Sequence, residues 1–204
     1  MNLERLENEL KKMWEFWYAW WRKQNNGEDT ATNFIYSSRS FLAFQNNAKQ
    51  LPQDLQNYAM NRWYNFWSAM WVENIFSKHP NVEPNTNSYD KLIDFSIDGI
   101  TFDHKTSVFP KAFGKDYAYA KENKKELIEW LYNNQSQQGR KHLENRLFIC
   151  IFDTKNGEHW KWKAEIGLLK NKIDDYVTNF DASKLIHLDF WNGEIVSDIV
   201  WFEI

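Results

Sequence analysis

The chain has 204 residues, 43% of them hydrophobic, and a formal net charge of −3. That length supports one domain with a real core, and the charge excludes the overall basic footprint of many nucleic-acid binders, leaving only local patches for such a role. The single cysteine, Cys150, excludes an intrachain disulfide; no apolar run is long enough to span a bilayer, and the acidic start does not read as a signal peptide, so a cytoplasmic protein with no membrane partner is expected.

Residues 3–24 read as an amphipathic helix. Leu3, Leu6, Leu10, Met13, Trp17 and Trp20 keep a heptad spacing, with Trp14, Phe16 and Trp21 widening the stripe. So many tryptophans can stack bases, form a homodimer interface or, most plainly, pack on another helix of the chain. Residues 29–49 are mixed, with a break at Ser37 to Ser40 and a short helix from Phe41. Residues 1–50 are thus expected to be a helical, aromatic-rich extension to a core formed by 51–204.

Pro52 opens a long helix, expected over 53–78, whose apolar stripe is Leu55, Ala59, Trp63, Phe66, Trp67, Met70 and Trp71. Glu73 falls at the edge of that stripe, where it can reach the rim of a sheet. His79-Pro80 ends the helix, and 81–88 reads as a loop.

The stretch 90–107 follows, alternating apolar and polar residues about Asp98-Gly99. That pattern predicts a hairpin with a two-residue type I′ turn, pairing Ile97 with Ile100, Phe95 with Phe102 and Asp94 with Asp103. One face then carries Phe95, Ile97, Phe102 and His104, and the other Asp94, Ser96, Thr101, Asp103 and Lys105. Two carboxylates directly opposite each other destabilise a sheet unless a cation lies between them. Hard ions such as Mg²⁺ take such oxygen ligands, and Lys105 on the same face can contact a phosphate or orient a water. The plain alternative is a solvent-facing strand pair in which Lys105 offsets the two acids.

After the hairpin, a helix is expected over 115–138. Lys111, Lys115, Lys121, Lys124 and Lys125 form the marked basic cluster of the chain, able to track phosphates, although Glu122, Glu126 and Glu129 are interleaved. Residues 146–153 read as a buried strand, 159–166 as a further strand, 167–179 as a helix, and 185–190 and 195–204 as strands about Asn192-Gly193. The order predicts an α+β fold with a mixed central sheet flanked by helices. There is no internal repeat, phosphate-binding glycine loop or Cys/His zinc spacing. Cys150, within an apolar run, reads as a buried inert thiol.

Asp94, a gap, then Asp103-His104-Lys105 resembles the PD-(D/E)XK nuclease superfamily, whose signature is an acid on one strand and a (D/E)-x-K triplet on the next. The proline of that signature is replaced here by Ile93. The resemblance implies a restriction endonuclease-like core and a Mg²⁺- or Mn²⁺-dependent nuclease acting on nucleic acid, with DNA the first choice. It implies that Asp94 and Asp103 hold the ion, that Glu73 assists from the preceding helix, that the His104 backbone carbonyl completes the shell, and that Lys105 positions the attacking water. His104, on the apolar face, otherwise reads as a packed histidine. By looser analogy with a glutamine on the following helix, Gln135, Gln138 and Arg140 are expected near the site or a phosphate, together with Lys111 and Lys115. The competing reading is a catalytically silent member of the fold that binds nucleic acid or protein.

Overall fold

The apolar runs of the second half pair into one sheet, and the aromatic helices of the first half cover one of its faces. The computed structural model describes residues 2–16, 26–87, 89, 90, 92–134, 144–190 and 193–204. Seven α-helices lie among them: α1 Leu3–Lys11, α2 Asn26–Ala31, α3 Phe41–Ala48, α4 Gln53–Phe76, α5 Tyr117–Glu122, α6 Lys124–Asn134 and α7 Ile166–Thr178. The strands are β1 Val82–Pro84, β2 Phe95–Ile97, β3 Ile100–Val108, β4 Arg146–Phe152, β5 Ile186–Phe190 and β6 Gly193–Glu203. Their spatial order is β1-β2-β3-β4-β6-β5. β1–β2, β2–β3 and β5–β6 are antiparallel, whereas β3–β4 and β4–β6 are parallel, so the sheet is mixed. Among the described residues no helix is long and apolar enough to cross a membrane.

Strand pleating sends alternate side chains to opposite faces. Leu147, Ile149 and Ile151 of β4, with Phe95, Ile97 and Phe102, join the core cluster that contains residues of α1, α3, α4 and α7. Phe148 and Cys150 join the second cluster, with residues of α5 and α6. Parallel strands covered on both faces explain the unbroken apolar run of β4. The α4 tryptophans tie the first fifty residues to the rest. Trp63 is buried against Phe41 and Phe44, and its Nε1 donates to the Ser38 carbonyl at 2.7 Å; Trp67 Nε1 donates to the Ile35 carbonyl at 3.1 Å. Each such ring stabilises by about 1.5–3 kcal/mol through area removed from water, and its N–H is not left unpaired.

Several boundaries differ from expectation. The first helix stops at Lys11; a 3-10 turn over Lys12–Glu15 follows, which buries Met13, and the chain is extended at Phe16. Trp17, Trp20 and Trp21 lie outside the described residues, while Trp14 is half-buried against the main core. The expected loop at 81–88 contains β1, an edge strand. The helix expected over 115–138 divides at Asn123 into α5 and α6, because Asn123 leaves helical geometry and its side chain takes the Tyr119 carbonyl at 2.9 Å. The strand expected at 159–166 is instead a turn, a 3-10 helix over Lys161–Ala164 and the start of α7. There the Asp153 carboxylate accepts the N–H groups of Lys155 at 2.9 Å, Asn156 at 3.1 Å and Glu158 at 3.0 Å, which curls the chain out of the sheet. Asn192 is outside the described residues.

Candidate metal centre

The hairpin turn needs two left-handed residues in succession, and Asp98 (φ 47°) and Gly99 (φ 81°) supply them. The pairing Phe95–Phe102, Ser96–Thr101, Ile97–Ile100 follows. The ladder ends at Phe95, while β3 runs on to Val108 beside β4. The Asp94 N–H still donates to the Phe102 carbonyl at 2.9 Å, out of register, and Asn85 holds the other side: its side chain donates to the Ile93 carbonyl and its N–H to the Asp94 carbonyl, both at 2.9 Å.

The His104 N–H, on the β2 side of β3, therefore meets no backbone acceptor. The Asp94 carboxylate takes that place: Oδ2 accepts the His104 N–H at 2.7 Å and lies 3.2 Å from His104 Nδ1. From α4, Glu73 Oε1 lies 3.6 Å from the same Nδ1. The ligand atoms of Glu73, Asp94 and His104 all lie within 4.8 Å of one another. The imidazole itself is buried, 2% exposed, and stacks on Phe95; the Glu73 carboxylate is 41% exposed, so the cluster opens to solvent on that side. Burial raises the Asp94 carboxyl's pKa, but the hydrogen bonds and charge of His104, with the charge of Lys105, outweigh it and hold it below the usual carboxylate value. Glu73 goes the other way. Burial and the Asp94 charge raise it more than His104 and Lys105 lower it.

Asp103 and Lys105 occupy the opposite face of β3. Lys105 Nζ donates to Asp103 Oδ1, and Arg146 Nε, from the first residue of β4, donates to Asp103 Oδ2 at 3.2 Å. The Arg146 guanidinium lies 4.8 Å from the centre of the Tyr132 ring on α6, and the Tyr132 hydroxyl donates to the Glu144 carbonyl at 2.8 Å. The charges of Asp103 and Lys105 nevertheless act on Glu73, so the two groups straddle one stretch of β3.

The structure thus brings Glu73 and Asp94 together as expected ligands, but on the His104 side chain. The expected apposition of Asp94 with Asp103 on one face does not form. Alternation governs only residues inside a ladder, and Asp94 lies one residue beyond it. Sequence reasoning gave His104 a backbone role and missed Arg146; a charged residue heading an otherwise apolar strand was the signal available for the latter. Lys111 and Lys115 are exposed beyond the end of β3, with Lys115 over the Tyr119 ring. Lys121 and Lys124 are engaged by Glu203 at 3.1 Å and Asp198 at 2.6 Å. Lys121, Lys124 and Lys125 line an open groove of about 700 Å³, but share it with Glu122, Glu126 and Glu129, so it is not uniformly basic. Gln135, Gln138 and Arg140 lie outside the described residues. No protein-family model matches the chain, and no curated protein or solved structure matches it.

Proposed function

We propose that the protein is a metal-dependent nuclease with a restriction endonuclease-like core, hydrolysing phosphodiester bonds of nucleic acid, with DNA as its first substrate. One observation carries the reading. Where β2 parts from β3, the candidate ligand set Glu73, Asp94 and His104 lies across one strand from the paired Asp103 and Lys105. The order α4, β1, β2, β3, helices, β4, with β3 and β4 parallel, accords with the core that the Asp94…Asp103-His104-Lys105 pattern leads one to expect.

Two carboxylates and an imidazole nitrogen, converging and open to solvent on one side, fit a divalent ion; Mg²⁺ or Mn²⁺ is the ion the resemblance implies. A bound ion supplies a Lewis acid for the phosphate and lowers the pKa of an attacking water. Glu73 and Asp94 would anchor it. Lys105, across β3 from that ion, carries the cation that can meet a phosphate oxygen, and Asp103 and Arg146 fix where that ammonium sits.

The test is incubation of the pure protein with plasmid, single-stranded DNA and RNA, with Mg²⁺, Mn²⁺ or chelator. Cleavage should need metal, and should fall by at least about a hundred-fold in Asp94→Asn and in Lys105→Ala, the scale of losing one transition-state stabilising group. Retained binding without cleavage on all three substrates overturns the enzyme reading in favour of a silent nucleic-acid-binding module.

A further inference from the structure

We infer that the ion held by Glu73, Asp94 and His104 is a first-row transition-metal ion, with Mn²⁺ favoured over Mg²⁺, and that the His104 imidazole is one of its direct ligands. The inference deepens the nuclease reading by naming the ion. It rests on the metal site of that reading and not on cleavage.

Three observations carry it. The first is spacing. Bonds of about 2.0–2.2 Å to a single ion place neighbouring ligand atoms roughly 3.0–3.6 Å apart at octahedral or tetrahedral angles. His104 Nδ1 lies 3.2 Å from Asp94 Oδ2 and 3.6 Å from Glu73 Oε1, within that range.

The second is a carboxylate too many. Asp94 alone partners both His104 nitrogens that face it, the backbone N–H and Nδ1, so a purely structural histidine explains Asp94 but not Glu73. α4 brings Glu73 to 3.6 Å from the same nitrogen, longer than a good hydrogen bond, and sets it beside a second negative charge. A shared cation turns that repulsion into attraction.

The third is donor chemistry. The ring is 2% exposed and stacked on Phe95, so its orientation is fixed, and Nδ1 is the nitrogen it offers to both carboxylates. Mg²⁺ demands oxygen donors and is held by carboxylates, waters and phosphates, whereas imidazole suits Fe, Ni, Cu and Zn; Mn²⁺, at the foot of the Irving–Williams series, takes carboxylates as Mg²⁺ does and accepts an imidazole nitrogen beside them more readily. An all-oxygen shell would use the His104 carbonyl; this geometry offers the ring.

The experiment uses the full chain, stripped of metal. Titration calorimetry with Mn²⁺ and with Mg²⁺ is combined with pulsed electron paramagnetic resonance of the Mn²⁺-loaded protein, which detects a directly bound ¹⁴N. Mn²⁺ should bind at least tenfold more tightly than Mg²⁺, with ¹⁴N coupling present. His104→Gln should abolish the coupling and the preference while leaving Mg²⁺ affinity within about threefold. Because His104 is buried, Glu73→Gln, at a more exposed position, is the second variant: it should weaken Mn²⁺ binding at least tenfold and keep the coupling. Equal affinity for the two ions, absence of ¹⁴N coupling in the wild type, or coupling that survives His104→Gln overturns the inference, the last pointing to a surface histidine. Cleavage separates this proposal from the previous one. His104-dependent Mn²⁺ binding with no cleavage sinks the nuclease reading alone, whereas metal-dependent cleavage by a protein whose Mn²⁺ binding is indifferent to His104→Gln sinks this inference alone.

Discussion

Replacing Arg146 with Met removes a guanidinium and keeps an apolar stem of similar length. Arg146 is buried, donates to Asp103 Oδ2 at 3.2 Å and lies over the Tyr132 ring at 4.8 Å. Removing one partner of a buried ion pair costs about 3–5 kcal/mol when the other charge is left alone. Here Asp103 keeps Lys105, whose side chain is 45% exposed and screened by water, so the loss is discounted to about 1–3 kcal/mol. The stacked cation adds about 0.5–1 kcal/mol. The expected destabilisation is about 2–4 kcal/mol, a fall in Tm of roughly 5–15 °C for a chain of this size. Urea unfolding followed by circular dichroism measures it, with the slope unchanged between wild type and variant. A double-mutant cycle with Asp103→Asn isolates the pair and should give a coupling of at least about 1 kcal/mol. Under the nuclease reading, cleavage also falls while nucleic-acid affinity holds, since Arg146 acts through Asp103 and Lys105 and meets no phosphate itself. A loss below about 0.5 kcal/mol, or two strictly additive variants, refutes the claim that Arg146 holds this group together.

Two further expectations concern groups away from the site. Burial pushes the Cys150 thiol up to about 12, so an aromatic disulfide reagent at pH 8 should label the protein only at the rate of global unfolding; rapid stoichiometric labelling of the native protein contradicts this. Burial pushes the Lys163 ammonium, whose Nζ donates to Asn65 Oδ1 at 2.8 Å, from 10.5 down to about 8. Between those two values the unfolded chain binds the extra proton, so stability should rise with pH there, by about 1–3 kcal/mol, and a Lys163→Met variant should lose that rise; parallel curves for the two proteins over pH 8 to 10.5 would contradict it.

The elements that alternation and turn chemistry specify were legible in the sequence. Asp98-Gly99 predicted both the turn and its register, and the apolar run from Leu147 to Phe152 predicted a strand covered on both faces. Pro52 marked the start of α4, and the Glu73 side chain reaches the sheet from the edge of its stripe as the helical wheel implies. Tertiary hydrogen bonds override such patterns locally. His159 to Ile166 alternates like a strand, yet Asp153 gathers three N–H groups and turns the chain aside, and Tyr64 then takes up the Trp160 ring edge-on. The lysines of α5 and α6 looked like a phosphate track because their partners, Glu203 and Asp198, are distant in sequence and arrive only with β6.

The candidate site itself arises where the sequence pattern stops applying. A longer β2 would have satisfied the His104 N–H with backbone and put Asp94 and Asp103 on one face, as the alternation of 90–107 implies. Asn85 prevents this. Its side chain takes the Ile93 carbonyl and its N–H the Asp94 carbonyl, while the Asp94 N–H still donates to the Phe102 carbonyl at 2.9 Å, so Asp94 and Phe95 together oppose Phe102 and the chain parts from β3 beyond Asp94. That departure leaves the His104 N–H of β3 without a backbone acceptor, and the Asp94 carboxylate takes it at 2.7 Å. Once Asp94 has turned to His104, Asp103 is left to Lys105 and Arg146 on the far face. The same one-residue divergence therefore separates two carboxylates that alternation would pair, brings an imidazole in place of a carbonyl beside Asp94, and leaves Glu73 of α4 as the second acid. Local rules place each residue on its strand, but which acids meet is decided by where the strand ends, and that is set by an asparagine nine residues away in the chain.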